Sequence, residues 1–214
     1  MNGRIGVLIP TRDRPQHFER AARSVYKTGL KVDVLAYIDD DQEKDYPDTM
    51  SGVKRLIGPR IGPVASANAL VERFPDYSVY GLITDDTTMV CRDWDEWVLA
   101  AMDSMAGRIV VVSPRHNLGE HVDMPFVSRE WIDTVGWYAC PDFYHFCWPV
   151  LLGLMGQLTC LVYPPEQAFS VHHEGLPHTN LQALFEDKMG FFDYVALKMP
   201  PIIDKLRAAQ QLPV

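Results

Sequence analysis

The chain has 214 residues, 47% of them hydrophobic and 22% charged, which excludes a disordered tail and a fibre and suits one well-cored domain. Twenty Lys and Arg stand against 28 Asp and Glu, and the resulting net charge of −8 argues against broad binding along a nucleic-acid backbone. The charge is uneven: residues 1–36 carry +4, residues 37–104 carry −8 and residues 105–214 carry −4.

The opening Met1-Asn2-Gly3-Arg4 leads straight into Ile5–Ile9, a continuous apolar run closed by Pro10 that reads as a buried parallel strand. No apolar stretch of signal-peptide type precedes it. A helix is expected over about 15–28, with Pro15 in its first turn and Gly29 where a C-cap belongs. Val32–Ile38 is a second strand and stops at Asp39-Asp40-Asp41. Val53–Ile57 reads as a third strand, Pro63–Phe74 as a helix, Val79–Ile83 as a fourth strand, Asp93–Met105 as a helix and Ile109–Val112 as a fifth strand. Such alternation is the pattern of an α/β protein with a mostly parallel central sheet flanked by helices.

Residues 113–178 change character and become rich in aromatics, Pro, His and Gly. Short elements are expected at Phe126–Ser128, Arg129–Thr134, Phe146–Gly156, Leu158–Tyr163 and Ala168–His172. From about 180 to 211 the pattern is helical again, with a break near Lys198–Pro201. Phe146–Gly156 is the most apolar later stretch, but at 11 residues including Pro149 it is too short to span a bilayer. Cys91, Cys140, Cys147 and Cys160 contain no CxxC pair and read as reduced. The expectation is a cytoplasmic protein without a membrane span.

The chemistry gathers where the strands end. Neither GxGxxG nor GxxxxGK[ST] follows the first strand, which disfavours a dinucleotide fold and a P-loop. Carboxylates stand there instead: Asp39 to Asp41 after the second strand, Asp85 and Asp86 after the fourth. Two such groups at one sheet edge repel unless a cation lies between them, and oxygen ligands of this kind suit Mg²⁺ or Mn²⁺. Arg12, Arg14 and Arg60 offer forks for phosphate oxygens.

These residues resemble a family 2-type glycosyltransferase of the GT-A fold, a nucleotide-diphospho-sugar transferase. Pro10-Thr11-Arg12-Asp13-Arg14 resembles the family's first loop, Arg60 to Asn68 its pocket segment with Gly62 and Ala67-Asn68, and Thr84-Asp85-Asp86 its DxD region with Thr84 in place of the first aspartate. The resemblance implies one GT-A domain over 1–214, with a nucleotide-binding half over 1–112, an acceptor-side half over 113–178 and a C-terminal helical segment over 179–214. It also implies that Pro10, Thr11, Arg12, Asp39, Arg60, Asn68 and Asp85 bind the nucleotide-diphosphate sugar. Asp86 and His172, with its neighbour His173 as the alternative, would hold Mn²⁺ or Mg²⁺. Transfer to an acceptor hydroxyl is expected to invert the sugar.

Family members place an acidic pair before a helix as the base, whereas this chain has Trp148-Pro149 there; Asp142 and His145 are the nearby substitutes. The acceptor stays open among a polysaccharide, a protein, a small molecule and a hydroxylated DNA base. A nucleotidyltransferase, or a non-catalytic protein of the same fold that binds sugar nucleotide or a partner, are the alternatives.

Overall fold

The computed structural model describes residues 3–46, 52–116, 122, 124–144, 147–174, 187–188 and 190–210. Strand β1 (Ile5–Thr11) pairs in parallel with β2 (Val32–Asp39) and β4 (Val79–Leu82), and β2 pairs in parallel with β3 (Lys54–Gly58). Beyond β4 come β8 (Phe126–Ser128), β6 (Val111–Val112) and β9 (Leu161–Val162), giving the order β3-β2-β1-β4-β8-β6-β9. Only β8 runs against the rest. The mostly parallel sheet flanked by helices is therefore the expected α/β, GT-A-like arrangement.

Helices α1 (Pro15–Thr28) and α3 (Trp94–Asp103) cover one face, with Ile5, Val7 and Ile9 of β1 turned toward them. Helices α2 (Pro63–Arg73), α4 (Arg129–Val135), α5 (Cys147–Leu158) and α6 (Met199–Gln210) enclose the core on the other face, where Leu8 points. Strand alternation puts β1 side chains into both cores, which is why the run is apolar throughout. At Gly81 of β4, an added Cβ would lie 2.0 Å from the Phe126 ring of the paired strand. That ring packs with Trp94 and Phe169 as one buried aromatic cluster.

A second sheet has the order β5-β10-β7, formed by β5 (Thr87–Met89), β10 (Ser170–His173) and β7 (Arg115–His116). Neither β5 nor β7 follows from local pattern, because strands of two or three residues carry too little alternation to be read. Other differences have local causes. β1 continues through Pro10 because β4 leaves it at Leu8, and past that point Pro10 is paired only with Tyr37 of β2. The expected break near Lys198–Pro201 is a π turn over Tyr194–Lys198 running directly into α6, which places Pro200 and Pro201 in the new helix's first turn, where missing N–H groups matter least. No helix among the described residues is long and apolar enough to cross a membrane.

Candidate functional site

Since β1, β2, β3 and β4 are parallel, the loops after them open on one edge of the sheet. The loop after β1 is built around Asp13, whose backbone is left-handed at φ 60. Its N–H donates to Gln42 Oε1 at 2.6 Å, and the Gln42 amide donates back to its carboxylate. Residues 12 and 14 would share a face in an extended strand. The turn at Asp13 sends them to different partners. Arg12 donates to Asp39 at 2.7 Å and grips both oxygens of Asp41 at 2.7 and 2.8 Å. Arg14 lies 3.3 Å from Asp85 and 3.8 Å from Asp86.

Arginines thus stand where the like charges would otherwise repel, so part of the compensation ascribed to a metal comes from the chain itself. The guanidinium of Arg12 is held charged by Asp41 and Asp39, and the bond from Arg12 lowers the pKa of Asp41. Asp39 is buried at the end of β2, as a pocket residue would be, whereas Asp40 and Asp41 belong to the exposed 3-10 turn Asp40–Asp45. Arg60 is exposed and adds positive charge near Asp41.

Asp85 and Asp86 occupy the turn between β4 and β5, both buried, and their environments differ. Tyr46 accepts from the Arg14 N–H at 3.1 Å and lies 3.0 Å from the Thr11 hydroxyl, which donates to Asp85 at 2.9 Å. Burial nevertheless dominates at Asp85 and raises its pKa. Burial also acts upward on Asp86, but bonds from His173 and Thr84 and the charge of Arg14 outweigh it, leaving that carboxyl well below the usual range.

The histidine that meets Asp86 is His173, at 3.0 Å. His172, the residue expected there, is exposed and projects from the opposite side of β10, with Thr88 as its register partner. Successive strand side chains alternate, so a one-residue difference exchanges the two faces. Asp86 and His173 supply an oxygen and an imidazole nitrogen, donor types that would suit a Mg²⁺ or Mn²⁺ coordination shell. Among the described residues no group of three His, Cys, Asp or Glu converges, so phosphate oxygens and water would complete such a shell.

The other expected residues are dispersed. Pro10 and Thr11 end β1 beside this edge. Asn68 is committed to the backbone: its carbonyl accepts from the N–H groups of Tyr138 and Ala139, each at 3.0 Å, and its amide donates to Ala139 O at 2.7 Å. It fastens α2 to the segment before Pro141, and one of its two amide N–H groups stays outside these bonds. Gly62 caps α2 at φ 82, where an added Cβ would also stand 2.7 Å from the Tyr144 ring. Asp142 is exposed and accepts from Lys198 at 2.7 Å, while His145 lies outside the described residues.

Asp187, which carries no local signal, is buried and accepts from Tyr144 N–H at 2.7 Å and Cys147 N–H at 3.3 Å, capping the start of α5 from 40 residues away. Tyr46 and Asp187 are the contributors that sequence reasoning missed, while His173 was the second choice to His172. Neither Tyr46 nor Asp187 had a local signal.

No protein-family profile matches the chain, and no curated protein sequence does. Solved structures do resemble it. S. aureus TarS superposes with a TM-score of 0.63 at 12% identity, covering 91% of this chain and 40% of that one. The form of TarS comprising residues 1–349 gives a TM-score of 0.62 at 12% identity, covering 97% and 70% respectively. The chain thus spans well under half of the longer TarS chain, and at this identity the likeness is one of fold.

Proposed function

We propose that this chain transfers a sugar from a nucleotide-diphosphate donor to an acceptor hydroxyl, with the donor seated at the edge formed by Asp39, Arg12, Arg14, Asp85 and Asp86. The observation that carries the reading is the meeting of two carboxylate groups with two arginines at the open ends of parallel strands. The fold shared with TarS, a bacterial glycosyltransferase, supports sugar transfer in general.

In this reading Asp39 accepts hydrogen bonds from ribose or base, and Arg12 exchanges its carboxylate partners for donor contacts as the nucleotide enters. Arg14 is the nearer cation to the diphosphate, since it already stands between Asp85 and Asp86. A Mn²⁺ or Mg²⁺ held by Asp86 and His173 would supply neutralisation of the leaving diphosphate. The acceptor oxygen bonds to the anomeric carbon as the bond to the diphosphate oxygen breaks, and the acceptor proton passes to a base.

Asp142 is the carboxylate to test as that base. Asp142→Asn lowers transfer by about 10²–10⁴-fold and leaves donor affinity unchanged if it fills the role, read from initial rates at saturating donor. The pairing of Asp142 with Lys198 favours the second reading, a sugar-nucleotide-binding protein without transfer, because the ammonium occupies a carboxylate oxygen that a base would have to offer to the acceptor hydroxyl. Thermal shift and calorimetry across UDP-, GDP-, TDP- and CMP-sugars, with and without Mn²⁺, test the donor site. Binding of none of them overturns it.

A further inference from the structure

Strand β10 is held unevenly along its length. Among the described residues β7 flanks it only at Ser170 and Val171, so its last two residues, His172 and His173, pair with β5 alone. Just past the strand, the Glu174 N–H donates to the Asp86 carbonyl at 3.1 Å. The Glu174 side chain meets α1 instead, where Arg20 Nη2 lies 2.6 Å from Oε1 and His17 Nε2 lies 3.6 Å from Oε2. His17 and Arg20 are three positions apart on α1 and so share one face of the helix. Residue 174 is thereby tied twice. Its main chain is bonded to the turn that carries Asp86. Its carboxylate is bonded to a helix whose Phe18, Ala21 and Val25 belong to the same core as Val171 of β10.

We infer that Glu174 and Arg20 are positioning residues, whose ion pair clamps the end of β10 to α1 and so holds the neighbouring His173 imidazole beside the Asp86 carboxylate; this rests on the proposed holding of Mn²⁺ or Mg²⁺ by Asp86 and His173. The place of the His173 ring follows from the backbone that carries it, and at this end of β10 that backbone has one strand neighbour. A partly exposed ion pair adds little to global stability, so the effect of this one is local: it fixes where residue 174, and with it residue 173, stands. Groups that orient a ligating imidazole typically change metal affinity by about 10- to 100-fold.

Pulsed EPR of the full chain tests the clamp, with Mn²⁺ and inorganic pyrophosphate as probes. The parent shows nitrogen coupling from a bound imidazole, absent in His173→Gln, together with phosphorus coupling from the diphosphate. Arg20→Gln and Glu174→Ala each diminish the nitrogen coupling, keep the phosphorus coupling and lower Mn²⁺ affinity by about tenfold. Their melting temperatures stay within about 3 °C of the parent, as loss of a surface pair predicts. Arg20→Lys keeps a cation opposite Glu174 and retains the nitrogen coupling. Full nitrogen coupling in either Arg20→Gln or Glu174→Ala overturns the clamp alone and leaves the metal reading standing. Loss in Arg20→Lys as complete as in Arg20→Gln also overturns it, as does a larger fall in melting temperature, which would make the pair a structural one. A parent without nitrogen coupling overturns the metal reading and the clamp together.

Discussion

At the scale of single residues, two adjacent carboxylates have opposite effects on stability. Asp86 has a depressed folded pKa, so its contribution is complete above the unfolded value of about 3.9 and is lost as pH falls through the folded value. Asp85 has a raised folded pKa, so it costs stability once pH exceeds that value and ceases to do so in acid. Thermal melts are therefore expected to show Asp86→Asn less stable than the parent at neutral pH and Asp85→Asn more stable, with both differences shrinking as pH drops toward 4 and below. Like-charge repulsion alone predicts that removing either carboxylate helps; the contacts to His173, Thr84 and Arg14 reverse the sign at Asp86. The same contacts separate the two histidines. His173→Ala is expected to weaken Mn²⁺-dependent donor binding by on the order of tenfold by calorimetry, and His172→Ala to leave it within about twofold. Equal effects would remove the distinction.

At the scale of elements, the helices do more than flank the sheet. Helix α2 was read for Asn68 as a pocket residue, but Asn68 bridges three backbone groups of residues 138 and 139, and the two residues are themselves buried. Asn68→Ala is expected to cost about 2–3 kcal/mol in urea unfolding by orphaning buried donors and an acceptor. Nucleotide affinity, measured where the variant is folded, is expected to be unchanged; a large loss of affinity with unaltered stability would restore Asn68 to the pocket. The start of α5 shows the same dependence on distant partners. The carboxylate of Asp187 accepts from the N–H of Cys147, the first residue of α5. The turn after β1 is likewise closed by Gln42 and Tyr46, two residues that belong to the connection after β2.

At the scale of the molecule, charge is sorted to the places where anions would be handled. Carboxylates and arginines alternate at the open strand ends. A bound donor stabilises the folded chain according to its occupancy, by about 2.7 kcal/mol at 100 times its dissociation constant. The matching nucleotide sugar is therefore expected to raise the melting temperature by several degrees, and its sugar-free nucleotide to raise it less. The size of the Mn²⁺ increment in that shift measures how much of the diphosphate charge Arg12 and Arg14 already meet.

The order of the parallel strands and helices up to α3 was legible in the chain itself, because β1, β2 and β4 are largely apolar runs bounded by Pro, Gly or Asp, and α1 and α2 open on proline. Asp39, Asp85 and Asp86 were legible for the same reason: a strand ending abruptly in carboxylates puts them at the sheet edge whatever the rest of the fold does. Only the tertiary structure decided the small sheet, the choice of His173 over His172, the assignment of Arg12 and Arg14 to separate carboxylates, and the commitment of Asn68 to backbone. Each of those depends on a partner 27 or more residues away, meeting at a register or a turn that no local periodicity encodes.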